Sequence, residues 1–154
     1  MSSDTRVATP LSAALTREHH DIDAGIAAFV EGRDVAALTR AADALRRHIY
    51  LEEEFLFPPL RAAGLMGPVL VMLREHGLIW RALDRVQDAV ELGGDPLPAL
   101  DELAGLLDRH NTKEEPILYP GADTVLDAAA ARQLTGFLAS GRMPDGWVCA
   151  HAGE

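Results

Sequence analysis

Two short patterns in this chain put an imidazole and a carboxylate one helical turn apart: His48-x-x-x-Glu52 and His110-x-x-x-Glu114. Both run on alike, through Leu56-Phe57-Pro58 in the first case and Leu118-Tyr119-Pro120 in the second. Upstream of each stands an Arg-Glu-His triplet, Arg17-Glu18-His19 and Arg74-Glu75-His76. Imidazole and carboxylate without thiolate form a donor set that suits iron, manganese or zinc. Four histidines and two glutamates exceed the needs of one zinc ion. A dinuclear centre uses them all. Residues four apart share a helix face, so each His and Glu of a pattern reaches the same ion or adjoining ions.

The elements that must position these donors are helical. The 154-residue chain is 48% hydrophobic and only 5% aromatic, rich in Ala and Leu and poor in β-branched residues, a mix that favours helix. Thr9-Pro10 reads as a cap and first helical residue for a helix ending near Glu31-Gly32. Asp34 caps a second helix, which runs to a kink around Pro58-Pro59. Gly64 and Gly67-Pro68 separate it from a third, ending near Gly93-Gly94. Asp95-Pro96 opens a fourth, closed by Pro120-Gly121. A shorter fifth helix is predicted from Asp123 to about Ala139, followed by an extended or poorly ordered tail. The fold class is all-α, an antiparallel up-down-up-down four-helix bundle with a short fifth C-terminal helix. One domain spans residues 1–154, with the bundle in 10–120 and the C-terminal helix and tail in 121–154.

Counting at 100° per residue gives the direction of each donor. The apolar stripes are Leu11, Leu15, Ile22, Ile26 and Phe29 on the first helix and Leu38, Ala41, Leu45, Ile49 and Leu56 on the second. On the third they are Val69, Met72, Leu73, Ile79, Leu83 and Val90, and on the fourth Leu100, Leu103, Leu107, Ile117 and Leu118. Glu52, His76, His110 and Glu114 fall within these stripes, and His48 and His19 at their edges. His20 lies opposite, although a rotated first helix would exchange it with His19. Arg74, Arg81 and Arg85 point outward as a solvated face. A buried carboxylate costs several kcal/mol unless paired or bound to metal. No Lys or Arg on the inner faces neutralises Glu52 and Glu114, whereas a pair of cations would.

The ferritin-like di-iron bundles use Glu-x-x-His, with the carboxylate first; here His comes first and the spacing is four. This pattern, doubled in an internal repeat across residues 10–120, resembles the hemerythrin-like (HHE cation-binding) family. The resemblance implies a non-haem centre of two iron ions, oxo- or hydroxo-bridged. Its terminal nitrogen donors would be His19, His48, His76 and His110, and its bridging carboxylates Glu52 and Glu114. Oxygen-carrying members have a second histidine four residues after the third-helix one. Trp80 stands there in this chain, so one iron lacks a nitrogen donor. Asp23, Glu53, Glu115, Tyr119, water or an exogenous ligand would fill the position. Glu53 and Glu115 otherwise read as solvated carboxylates or as hydrogen-bond partners of a ligand histidine. Trp80 reads as a core residue that shields the site, and Cys149 and His151 carry no assigned role.

The function so implied is binding of oxygen or a related small ligand, peroxide or NO, with a redox, NO or iron sensor as one form of it. The alternative is an enzyme turning over hydrogen peroxide or other reactive oxygen or nitrogen species. A third reading, a metal-free bundle engaged in protein interactions, predicts stability indifferent to chelator. The net charge of −10 opposes nucleic acid binding. No apolar run is long enough to span a membrane, and the N-terminus lacks the layout of a signal peptide. One cysteine forms no internal disulfide, which suits a reducing cytoplasm.

Overall fold

The structure, a computed structural model, describes residues 9–154. Residues 1–8, read above for a leader signal, lie outside the described residues. The described chain is helical without strands: α1 (Leu11–Gly32), α2 (Val35–Leu51), a π turn (Glu52–Leu56), α3 (Phe57–Ala62), α4 (Met66–Glu91), α5 (Leu97–Ile117), α6 (Tyr119–Thr124) and α7 (Ala128–Ser140). The four long helices pack in a ring, α1 on α2, α2 on α4, α4 on α5 and α5 back on α1. Among the described residues, no helix is long and apolar enough to cross a membrane.

Local chemistry sets the boundaries. Asp34 caps α2 as expected, its carboxylate accepting from the Ala37 N–H at 3.0 Å; such a cap contributes about 1 kcal/mol. α1 departs from expectation. Pro10 occupies the N-cap and the helix starts at Leu11, with no cap from its own side chains. The Asp123 carboxylate of α6 accepts from the Ser12 N–H at 3.1 Å and from the Ser12 hydroxyl, which supplies what Thr9 was expected to give. Gly67-Pro68 does not separate helices but lies in the first turn of α4. A proline costs little there, because first-turn N–H groups have no helical acceptor.

The second helix changes register before its prolines. Phe57 N–H bonds to the Glu52 carbonyl, a π turn that leads into α3 through Pro58. In α5, Pro116 removes an amide donor and the helix ends at Ile117, so α6 starts afresh at Tyr119. The last helix begins later than predicted, with Asp127 accepting from the Ala130 N–H as its cap.

Two apolar clusters form the core. One gathers Ile22, Leu45, Ile79, Leu83, Leu103 and their neighbours; the other gathers Leu15, Leu56, Leu60, Val69, Leu118 and Tyr119. Ile117, placed in the inner stripe by counting, is exposed, because the break after Pro116 turns the chain past it. The tail is not loose. Trp147 packs against the first cluster and Cys149 is 3% exposed within it.

Candidate metal centre

On each long helix a polar residue stands between the two apolar clusters. His19 lies between Leu15 and Ile22, His48 and Glu52 between Leu45 and Leu56, His76 between Leu73 and Ile79, and His110 and Glu114 between Leu107 and Leu118. All six are buried, and both glutamates are wholly so. The inward placement predicted from periodicity is what the fold contains.

These side chains form two overlapping groups that share the carboxylates. His19, His48, Glu52 and Glu114 bring one donor atom each within 4.8 Å of one another, and so do Glu52, His76, His110 and Glu114. The imidazoles pair accordingly, His19 with His48 at 4.8 Å between ring centroids and His76 with His110 at 5.1 Å. Each glutamate divides its oxygens between the groups. Glu52 Oε2 lies 3.2 Å from His48 Nε2 and Oε1 lies 3.0 Å from His76 Nε2. Glu114 Oε1 lies 3.3 Å from His19 Nε2 and Oε2 lies 3.3 Å from His110 Nε2. A carboxylate so placed can bridge two cations. His20 is exposed on the far side of α1.

Tyr119 joins the first group. Its hydroxyl lies 2.8 Å from His19 Nε2 and 2.9 Å from His48 Nε2, and its one proton can go to either Glu52 Oε2 at 2.7 Å or Glu114 Oε1 at 2.9 Å. Of the four protein oxygens considered for the missing donor, only this one enters the centre. Asp23 lines a surface groove with His20, Asp108 and Glu115. Glu53 and Glu115 face the outer ring nitrogens instead.

Those outer nitrogens are all engaged. His19 Nδ1 meets Glu115 at 2.8 Å, His48 Nδ1 meets Glu18 at 2.8 Å, His76 Nδ1 meets Glu53 at 2.7 Å and His110 Nδ1 meets Glu75 at 2.9 Å. Each carboxylate fixes its ring so that Nε2 points inward. Glu18 and Glu75 were missed as functional residues, although the repeated Arg-Glu-His triplet carried the signal. Trp80 is buried away from these bonds, edge-on to Trp147 at 5.5 Å and under the Arg46 guanidinium at 5.4 Å. Arg81, read as solvated, is turned to the tail and donates to the His151 carbonyl at 2.9 Å.

A family model described as the hemerythrin HHE cation binding domain matches residues 10–122. The chain belongs to that family. No curated protein and no solved structure matches it. The hemerythrin span contains all six donors and Tyr119, and it stops within α6, short of α7 and the tail.

Cation binding, the property of a hemerythrin HHE domain, fits the electrostatics of this core. Burial would raise the Glu52 and Glu114 carboxyls, but the surrounding imidazoles hold Glu52 low and Glu114 well below the usual carboxylate range. Burial would lower His48, yet the Glu52 charge and the Glu18 bond push it up to about 10. Burial would likewise lower His110, and the Glu114 charge and bond push it up to about 10. Burial, then the Glu114 and Glu52 charges, lift the Tyr119 phenol well above its ordinary value. Two ionised carboxylates in a low-dielectric core require positive charge, which protonated His48 and His110 give in the metal-free protein and cations would give in place of those protons. Glu114 Oε2 is buried and pairs with His110 Nε2 at 3.3 Å without a well-aligned hydrogen bond, which leaves it open to a cation.

Proposed function

We propose that this chain is a non-haem di-iron protein that binds oxygen or a related small ligand, peroxide or NO, with sensing of redox state, NO or iron as its role. One iron would be held by His19, His48 and Tyr119, the other by His76 and His110, with Glu52 and Glu114 bridging them. Bound there, the irons supply two adjacent redox-active centres in a core closed to bulk water. The reading takes residues 1–154 as one domain with its four long helices in antiparallel up-down-up-down order, in the cytoplasm. The partner is a small molecule rather than nucleic acid or membrane.

One observation carries this reading. The two donor groups match in imidazoles and carboxylates but differ in the residue above them. Tyr119 brings a hydroxyl to the first group, whereas Phe57, at the equivalent position, lays an apolar ring on His76 at 5.4 Å. A fifth protein donor on one side and none on the other leaves a coordination position on the His76–His110 side for an exogenous ligand. The convergence of four imidazoles and two carboxylates in two groups that share both glutamates favours this reading over a metal-free bundle.

Anaerobic loading with ferrous iron, followed by metal analysis and optical spectra with oxygen, peroxide, NO and azide, tests it. The expected result is about two irons per chain and a spectrum altered by at least one of these ligands. Iron well below one per chain, or a spectrum indifferent to every ligand, overturns it. The same open position supports a second reading, turnover of hydrogen peroxide. Sustained loss of peroxide at catalytic protein concentration selects it over simple binding.

A further inference from the structure

The residues after α7 lie outside the matched hemerythrin span, yet they are seated firmly on α4. Gly77 makes that seat. A Cβ added there would lie 2.5 Å from the His151 carbonyl oxygen, closer than any side chain can stand. Arg81, one turn on, donates to the same carbonyl at 2.9 Å. Trp147 packs edge-on against Trp80 at 5.5 Å and Tyr50 at 5.0 Å.

From this seat two chains of bonds run inward. The Ala150 N–H donates to Glu53 Oε1 at 2.9 Å, and Glu53 Oε2 holds His76 Nδ1 at 2.7 Å. At the start of the segment, Arg47 Nε donates to the Gly141 carbonyl at 3.0 Å and Nη2 to those of Phe137 and Leu138. Its Nη1 reaches Glu18 Oε2 at 3.2 Å, and Glu18 Oε1 holds His48 Nδ1 at 2.8 Å. His48 belongs to one donor group and His76 to the other. The C-terminal segment therefore grips the outer carboxylate of one histidine in each group. Glu75, behind His110, is held by Lys113 of α5 instead.

We propose that the C-terminal segment is a clamp on the metal centre: seated by Gly77 and Arg81, it fixes Glu53 through the Ala150 amide and Glu18 through Arg47, and so sets how firmly the two cations are retained. This rests on the two-cation reading above, and it adds retention by a segment outside the family domain. A carboxylate bonded on both oxygens keeps one rotamer, and the imidazole it orients keeps Nε2 on the cation. An amide or guanidinium donor to a carboxylate is a charge-assisted bond, among the stronger kinds. Unseated, the segment would strip Glu53 Oε1 of the Ala150 amide and would admit water to the outer face of the ring.

The test compares how fast ferrous ions pass from anaerobically loaded protein to excess chelator, in wild type, Gly77→Ala, Arg81→Gln and Ala150→Pro. None of these changes a proposed ligand or an outer carboxylate. Alanine is a better helix former than glycine, so faster release from Gly77→Ala does not come from a weakened α4. Each variant is expected to release iron about tenfold faster, at the lower end of what disturbing an outer-shell partner costs. Arg81→Lys, which still donates to the carbonyl, restores slow release, and Arg85→Gln on the exposed face leaves it unchanged. Release at the wild-type rate from Gly77→Ala and Arg81→Gln overturns the clamp, as does a lowered melting point of the metal-free variants with unchanged release. Protein that takes up both ions but ignores oxygen, peroxide, NO and azide alike sinks the functional reading and leaves the clamp standing on its release rates. Protein that takes up no cation sinks both.

Discussion

Phe57 and Tyr119 occupy the same place in the two halves of the chain and differ there by one oxygen atom. Each comes five residues after its glutamate, Glu52 or Glu114. Phe57 stacks on His76 with centroids 5.4 Å apart and planes at 23°; Tyr119 leans on His19 at 5.3 Å and 31°. The two sites of this internal repeat are thus alike in shape and unlike in chemistry. The added hydroxyl lies 2.7 Å from Glu52 and 2.8 Å from His19.

Tyr119→Phe makes the halves chemically equal. The variant should keep the fold and all six His and Glu donors while losing at least tenfold in affinity for one of two cations, a loss of about 1.4 kcal/mol or more. Any visible band arising from phenolate on ferric iron should vanish. Stepwise titration with ferrous iron, followed by oxidation, checks both. Two unchanged affinities would remove Tyr119 from the donor set.

Glu52→Gln affects both positions at once, because Glu52 gives Oε2 to one group and Oε1 to the other. Binding of both ions should weaken together, whereas His110→Ala, which touches one group, should spare the first ion. Iron content per chain after gel filtration distinguishes the two. A Glu52→Gln protein that still holds one ion tightly would show that the carboxylate does not bridge.

Stripped of cations with a chelator, the protein should respond to pH in a defined direction. His48 and His110 are raised from 6.5 to about 10 by the facing carboxylates, which overcome burial. A raised pKa gives stability that is fully present below 6.5 and is lost as pH climbs through about 10. Glu52 and Glu114 are held below 4.5, so their contribution is present above 4.5 and is lost as pH falls. The stripped protein should therefore become easier to unfold by urea from about pH 6.5 upward. Cation-loaded protein should not follow, since binding needs neutral imidazole and tightens as protons leave. Parallel unfolding midpoints of the two forms from about pH 6 to about pH 9 provide the check; coincident curves would contradict it.

The helices and the six inward donors were legible because both follow from periodicity: a residue on an apolar stripe is buried whatever its chemistry. Glu18 and Glu75 were not, although their triplets were plain. Each sits 100° round its helix from the neighbouring histidine and serves a histidine on another helix, His48 or His110, which no single-helix count reveals. Tyr119 could be named as one of four oxygens but not chosen, because its aim depends on the helix break after Pro116. The tail is without helix, as one of the two expectations had it, but its packing was not legible for a different reason. Its anchors are main-chain groups, the His151 carbonyl and the Ala150 amide, which every residue but proline carries alike.

Glu114 contributes to both groups, and Tyr119 lies 100 positions beyond His19. During synthesis, then, neither ion position has its full complement until the fourth long helix has emerged. At about 5–20 residues per second, His19 waits roughly 5–20 s for Tyr119. Until then the chain offers only part of either donor group. On the two-cation reading, the fourth long helix is therefore what completes both positions, whichever ion fills them.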